Sequence, residues 1–291
     1  MSYCLILQLI FPPLWVNNVY AALVTDPHAN VSFRPQIDNS SNIPVINIVA
    51  PNNTGLSHNK YQDFDVDLNG LVFNNSLVTG NSRLAGRIVA NPLFGGRTAN
   101  IILNEVTGVS DSELKGLMEV FGDKANVIIA NPNGITCNGC GFINTQRGTL
   151  TTGTPDLSQN KLRFDVDGGL IRFEEEGHSY RSFINDMDVL SQYIDVNGDI
   201  STKDRLSLVA GRFIFDYSKS MAGGSITEWV EPKSNDAAKA SERALAVDGT
   251  IFGAMQSGQI DIMGTEQGLG VKADGYLFAQ ADDLFIQSAG G

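Results

Sequence analysis

From Val45 onward apolar residues recur at every second position in short runs, and each run is closed by Gly, Asn, Asp or Pro. VINIV (45–49) sets Val45, Asn47 and Val49 against Ile46 and Ile48, and the turn PNNTG (51–55) follows. YQDFDVD (61–67), GLVFNNS (70–76), SRLAGRIVAN (82–91), ANIILNEV (99–106) and NVIIANPNGI (126–135) repeat the theme. Short alternating runs bounded by turn formers predict strands. Two stretches depart from the pattern. SDSELKGLMEVFG (110–122) spaces Leu114, Leu117, Met118 and Phe121 at helical intervals, which predicts a short helix or a loop with one buried side. Residues 218–247 shift to Ser, Ala, Lys and Glu and read as an excursion, with a short helix near 236–246.

The second half is weakly self-similar. GDISTKDRLSLVAG (198–211) and GYLFAQADDLFIQSAG (275–290) share an order: Gly, one residue, an aliphatic, a polar corner, two alternating aliphatics, Gly. Gly249, Ile251, Ile260, Ile262 and Gly264 form a looser third copy. A period of about 20 residues is the size of one coil of a β-solenoid. One such coil cannot bury its aliphatics alone, whereas stacked coils close a continuous core and pair every strand edge except at the two ends. The pattern runs to Gly290-Gly291 without a cap, so the chain is expected to be the N-terminal part of a longer design.

Composition agrees with this picture. Of 291 residues 30 are Gly, 25 Asn and 22 Asp, against 10 Glu, an excess of turn formers over helix formers. That argues against coiled coils, helical bundles and multi-span membrane proteins. A net charge of −12 argues against a nucleic-acid partner, because phosphate contacts need clustered Lys and Arg.

LILQLIFPPLWV (5–16) is apolar but too short to span a membrane, and Val19 and Ala21 occupy the −3 and −1 positions of a small-residue cleavage site. Residues 1–21 therefore read as a secretory signal peptide that lacks its basic start. Cleavage would remove Cys4 and leave Cys137 and Cys140, in CNGC. In an exported chain one close pair suggests a disulfide. Zinc would need two further ligands, and His28, His58 and His178 stand at no ligand spacing.

Two Asn-Pro sites follow strand-like runs. Asn91-Pro92-Leu93 follows RIVA, and Asn131-Pro132-Asn133-Gly134 follows VIIA with the residue order of a type I turn. In wider context, IANPNGITCNGCGFINTQRGTLTTGTP (129–155) resembles the signature segment of the two-partner secretion domain. That domain opens the filamentous haemagglutinins, the haemolysins of the same pathway and the contact-dependent growth inhibition effectors. The resemblance extends upstream through INIVAPNNTGLSHNKYQDFDV (46–66), VFNNS (72–76), LAGRIVANPL (84–93) and ILNEVTG (102–108). Downstream it takes in GTIFGAMQSGQIDIMGTEQGLGVKADG (249–275), and it is weakest over 156–247.

The resemblance implies an all-β chain: a right-handed parallel β-helix with an N-terminal cap and extra-helical β elements. It implies a domain over 22–291, with cap and signature at 43–155, variable coils at 156–247 and the start of a repeat shaft at 248–291. It also implies an address read by the periplasmic domains of an outer-membrane β-barrel transporter, in a protein exported through the periplasm and secreted or held at the cell surface. Family motif positions fall on Asn91, Pro92 and Leu93, on Asn131, Pro132, Asn133, Gly134 and Ile135, and on the pair Cys137 and Cys140. Asn91-Pro92-Leu93-Phe94 departs from the family's NPNL form at its third position.

A β-helix can instead carry polysaccharide lyase or hydrolase chemistry on clustered carboxylates. Asp63, Asp65 and Asp67 alternate along one strand, and Glu174, Glu175 and Glu176 form an acidic run, but both sets read best as solvated surface. No Ser/His/Asp order, P-loop or HExxH occurs, so no catalytic residue, metal or cofactor is expected.

Overall fold

The computed structural model describes residues 22–179, 182, 184–233, 244–267 and 270–289. The proposed leader at 1–21, and most of the helix expected near 236–246, lie outside the described residues. The chain winds as a parallel β-helix with three faces. The first face is a nine-strand sheet whose parallel strands include Leu56–Phe64, Ile101–Val106, Asn126–Ala130, Arg147–Thr151, Asp186–Ser191, Arg205–Ala210, Gln259–Gly264 and Leu284–Ser288. The second face stacks six strands, from Ser112–Leu114 through Ile135–Cys137 to Gly270–Ala273. The third face is a five-strand sheet near the N-terminal end and a three-strand sheet near the other, with the Cys140–His178 bridge between them.

Like residues stack in register along the axis. Ile129, Leu150, Val189, Leu208, Ile262 and Ile286 occupy successive levels of the first face. All but the last are fully buried in the central core, so each coil covers the apolar side chains of the one before. At the first two levels the stack is amide rather than aliphatic. Asn59 sits over Asn104, both buried, and their Nδ2 atoms donate to the carbonyls of Leu103 (3.3 Å) and Ile128 (3.2 Å). Antiparallel strands end the parallel stack at this end: Leu23–Thr25 on the first face and Gln36–Asp38 on the third. They cover sheet edges that would otherwise be open to another chain.

Two insertions at the corner between first and second faces build an antiparallel sheet outside the helix. Its strands are Thr154–Asp156, Arg163–Val166, Phe213–Asp216 and Val230–Pro232, with short helices at Tyr217–Ser220 and Ile226–Trp229. Phe164, Phe213, Phe215, Tyr217 and Trp229 pack on the outer side of the first face against Leu103, Ile128, Leu190, Val209 and Met263. That face is thus buried on both sides, and NVIIA is buried at every position. The two outermost strands of the added sheet carry Pro155 and Pro232, residues that lack the N–H a further strand would need.

Three expectations need correction. Residues 110–122 form no helix but two strands, Ser112–Leu114 and Leu117–Gly122. Leu114 and Met118 face the central core, while Phe121 joins an outer cluster with Val72 and Ile88. Inward and outward apolar residues of a sheet buried on both sides sum to a helix-like spacing. Residues 82–91 are not one strand, because Gly80–Ser82 and Gly86–Ile88 form a hairpin. Its turn is held by the buried Glu119 carboxylate, which accepts from the Ser82 hydroxyl (2.7 Å) and the N–H groups of Arg83 and Leu84 (both 2.9 Å). In the third repeat copy the glycine and aliphatic are Gly253 and Met255, since Met255 pairs with Ile200 and Leu277, whereas Ile251 is exposed.

Glycine recurs at one corner for a steric reason. A Cβ on Gly116, Gly198, Gly253 or Gly275 would come within 2.1, 1.8, 2.3 and 2.1 Å of backbone oxygens on Asp67, Glu174, Val196 and Gly253. The corner between the second and third faces therefore stacks backbone on backbone with no room for a side chain.

Candidate functional site

The two Asn-Pro sites share one local geometry. Asn131 is fully buried. Its Oδ1 accepts from the Asn133 N–H (3.0 Å), and its Nδ2 donates to the Ser110 carbonyl and the Ser112 hydroxyl (both 3.0 Å). The Gly134 N–H closes the turn onto the Asn131 carbonyl (3.2 Å). Asn91, also buried, does the same: Oδ1 accepts from the Leu93 N–H (2.9 Å), and Nδ2 donates to the carbonyls of Ile48 (2.9 Å) and Asn74 (2.8 Å). The Phe94 N–H bonds the Asn91 carbonyl (3.3 Å). Each asparagine therefore shapes its own turn and ties it to neighbouring backbone, a role that needs both amide donor and carbonyl acceptor.

The position after proline contributes a backbone N–H, which leucine supplies as well as asparagine does. Hence the departure at Leu93 leaves the turn intact. What Asn133 adds is an Nδ2 that donates to the carbonyls of Gly108 (3.0 Å) and Ser110 (3.2 Å). Gly134 sits at φ 137°, where its absent Cβ clears the Leu170 carbonyl. Ile135 begins the next strand and is buried, while Pro92, Pro132 and Asn133 are exposed. The sites occupy different corners: Asn131 joins the first face to the second, and Asn91 follows the 80–88 hairpin.

Cys137 and Cys140 form a disulfide with Cα atoms 5.2 Å apart. It lies wholly buried at the turn from the second face to the third, where other coils carry the glycine corner. The short loop limits any entropic gain, so the bond acts chiefly to fix one turn. Intact-mass measurement of the exported protein should show both thiol hydrogens lost, and two free thiols would refute the bond.

Among the described residues no cluster of three or more His, Cys, Asp or Glu side chains could hold a metal ion. Two of the three aspartates weighed for calcium have structural roles. Asp65 accepts from the N–H groups of Glu113 (2.8 Å) and Ala22 (3.1 Å), and Asp67 accepts from that of Asn69 (2.8 Å). Burial raises the Asp65 pKa in spite of those bonds.

His58 lies within the resembling segment and reads as a structural residue near the cap, but its partners and the arginine pairs below were not identified from sequence. His58, Lys60 and Glu105 meet across the first two levels of the first face, with His58 Nε2 2.5 Å and Lys60 Nζ 3.2 Å from the Glu105 carboxylate. Burial would raise the Glu105 pKa, but the His58 hydrogen bond and the nearby cations outweigh it and lower it. Phe33 covers this cluster, its ring centroid 5.0 Å from that of His58. A second set fastens the added sheet. Arg147 forms a bidentate pair with Asp188 (2.7 and 2.9 Å) and lies 4.8 Å from the Tyr217 ring centroid. Arg205 pairs with Asp261 (2.6 Å) and lies 4.3 Å from the Trp229 centroid. An Arg three positions before a stacked aliphatic (Leu150, Leu208), with an Asp one position before the matching aliphatic of the next strand, was the available signal.

The comparisons with known proteins agree with this architecture. The family model described as the TPS secretion domain matches residues 21–291. A protein named Toxin CdiA from Yersinia pestis is 37% identical over 272 residues, 93% of this chain and 8% of its own length. A protein named Hemolysin from Proteus mirabilis is 40% identical over 248 residues, 84% of this chain and 14% of its own length. The chain thus spans a small fraction of these relatives. The crystal structure of a filamentous hemagglutinin secretion domain superposes with a TM-score of 0.75 at 36% identity, covering 88% of this chain and 82% of that one. With the parallel β-helix and the two matched Asn-Pro corners, these similarities establish that the chain belongs to the TPS secretion domain family.

Proposed function

We propose that residues 22–291 are the secretion-targeting and folding-nucleation module of a large exported adhesin, haemolysin or contact-dependent toxin. In this reading 43–155 is the cap and signature region, 156–247 holds the variable coils and 248–291 starts the repeat shaft. An outer-membrane β-barrel transporter of the two-partner type recognises the module through its periplasmic domains. The protein passes through the periplasm and ends secreted or at the cell surface. The module itself performs no chemistry, and nothing in the comparisons supports a carbohydrate-active enzyme.

The observation that carries this reading is the matched pair of corners. Asn91 and Asn131 are buried and spend their side chains on their own turns and on adjacent backbone, leaving Pro92, Pro132 and Asn133 at the surface. These turns close over four residues, so they can form in a chain whose solenoid has not yet assembled. A transporter then meets rigid, proline-marked corners on an otherwise extended chain. Strand addition to its periplasmic sheets would supply further backbone contacts. Export then draws on folding outside the cell, with the capped end fixed and coils added beyond it.

Asn131→Ala tests this. Loss of the side-chain bonds should cost about 2 kcal/mol of stability and reduce both binding to the transporter's periplasmic domains and export. Unchanged binding and export, in this variant and on deletion of 131–135, would sink the reading.

A further inference from the structure

The chain is acidic overall, yet its charge inverts locally. Between Asp67 and Glu105 the sequence holds Arg83, Arg87 and Arg97 and no Asp or Glu, in a protein of net charge −12. The three arginines are exposed. Arg97 donates to Asn53 Oδ1 (3.2 Å), whereas neither Arg83 nor Arg87 joins an ion pair among the described residues. Asn81 pairs with Arg87 in the hairpin, while Ser82 and Ile88 face inward and are buried, so alternation sets Arg87 on the outer side.

Apolar side chains lie beside these charges. Leu77, Val78 and Val89 are 43, 69 and 63% exposed, and they flank the Asn91 N–H bond to the Ser76 carbonyl (2.8 Å). The surface is therefore continuous with the Asn91-Pro92-Leu93 corner. It is also held firmly. Ile88 and Leu84 pack on Val72 and Phe121, and the Glu119 carboxylate near Arg83 is spent on the Ser82 hydroxyl and two backbone N–H groups.

We propose that this outcrop, residues 76–97, is a docking surface for an acidic face of the transporter's periplasmic domains, with Arg83 and Arg87 supplying charge and Leu77, Val78 and Val89 the apolar contact. The inference rests on the function proposed above and adds the chemistry of the partner. Complementary charge favours a local acidic patch on a protein, because it speeds encounter and rejects wrong partners. An anionic lipid surface fits less well: lipid-binding basic clusters carry about four to eight Lys/Arg, and the remaining charge of this chain would be repelled. The outcrop is contiguous in sequence, so Arg83, Arg87 and the apolar residues stay close together along the chain before the coils close, and Glu119 fixes their arrangement afterwards.

Titration of purified 22–291 against the isolated periplasmic domains of the partner transporter, at low and high salt, tests the proposal. The double substitution Arg83→Glu/Arg87→Glu should weaken binding about tenfold or more at low salt and flatten its salt dependence. The urea midpoint should not move, since both side chains are exposed. Val78→Ser should weaken binding without altering the salt dependence. Lys203→Glu, at an exposed lysine elsewhere, should do neither. Wild-type binding that the double substitution leaves unchanged in strength and salt dependence would overturn the proposal while leaving the function intact. Absence of wild-type binding would remove both. Loss of binding to phosphatidylglycerol vesicles, with transporter binding unchanged, would also overturn it and reassign the surface to lipid.

Discussion

Asp188→Ala is expected to destabilise the domain by about 3–5 kcal/mol, the range found when one partner of a buried ion pair is removed. Both side chains are almost wholly buried, Arg147 at 9% and Asp188 at 3% exposure. The Asp188 carboxylate accepts from Arg147 Nε and Nη2 and from the Thr149 hydroxyl (2.7 Å). Burial by itself would lower the Arg147 pKa, but Asp188, with help from Asp186, more than reverses this, so the guanidinium stays charged. Alanine would leave that charge beneath the added sheet with no direct carboxylate partner, only the Tyr217 ring, a Met221 sulfur (3.7 Å) and the weaker field of Asp186. The pair as a whole is a different matter, since both desolvation costs vanish when both charges go. Arg147→Met/Asp188→Leu should therefore recover most of the loss. Urea unfolding monitored by circular dichroism measures both, and a cost below about 1 kcal/mol for the single variant would show the pair to be solvent-screened.

Acid should weaken the domain through His178. This residue is 3% exposed, stacked between the Cys137–Cys140 turn and the next coil, with its ring 6.4 Å from that of Phe142. Burial pushes its pKa down to about 4, against the pull of the Ser201 backbone. The unfolded chain, with a histidine near 6.5, binds the proton more readily. Stability is thus fully present above about pH 6.5 and is lost as pH falls toward about 4, by about 3 kcal/mol in total. Asp65 and Asp186, whose pKa values burial raises, act in the opposite sense at the lower end of that range. Comparison with His178→Asn isolates the histidine: the wild-type minus variant stability should fall across this window. A difference that stays flat from pH 7 to about 4 would show that His178 titrates normally.

What the sequence revealed, and what it hid, follows from the range of each interaction. Strands such as Ile101–Val106 and Asn126–Ala130 were legible because their alternation and flanking turns are local. The Asn-Pro corners were legible for the same reason, since each is made within four residues. The 80–88 hairpin was hidden because its turn depends on Glu119, far along the chain, and RLAGRIV alone reads as one extended run. The strand at Leu117–Gly122 was hidden because its outer side is covered by that same hairpin, which no local period announces. Arg147 and Arg205 could not be matched to carboxylates from spacing alone. Their partners lie one coil further on, across insertions of different length, and only the register of the stack unites them.

The glycine corner sets a rule for what the fold can accept. The extra material leaves the helix between the third and first faces, as the 80–88 hairpin, or between the first and second, as the added sheet. At Gly116, Gly198, Gly253 and Gly275 the corner between the second and third faces has no room for such material, because its backbones touch. A foreign epitope or reporter grafted into the open corners would hang outside an undisturbed stack, while the same graft beside Gly198 would pry two coils apart. The shaft thus has two sides that can diversify and one seam that must keep neighbouring backbones in contact from coil to coil.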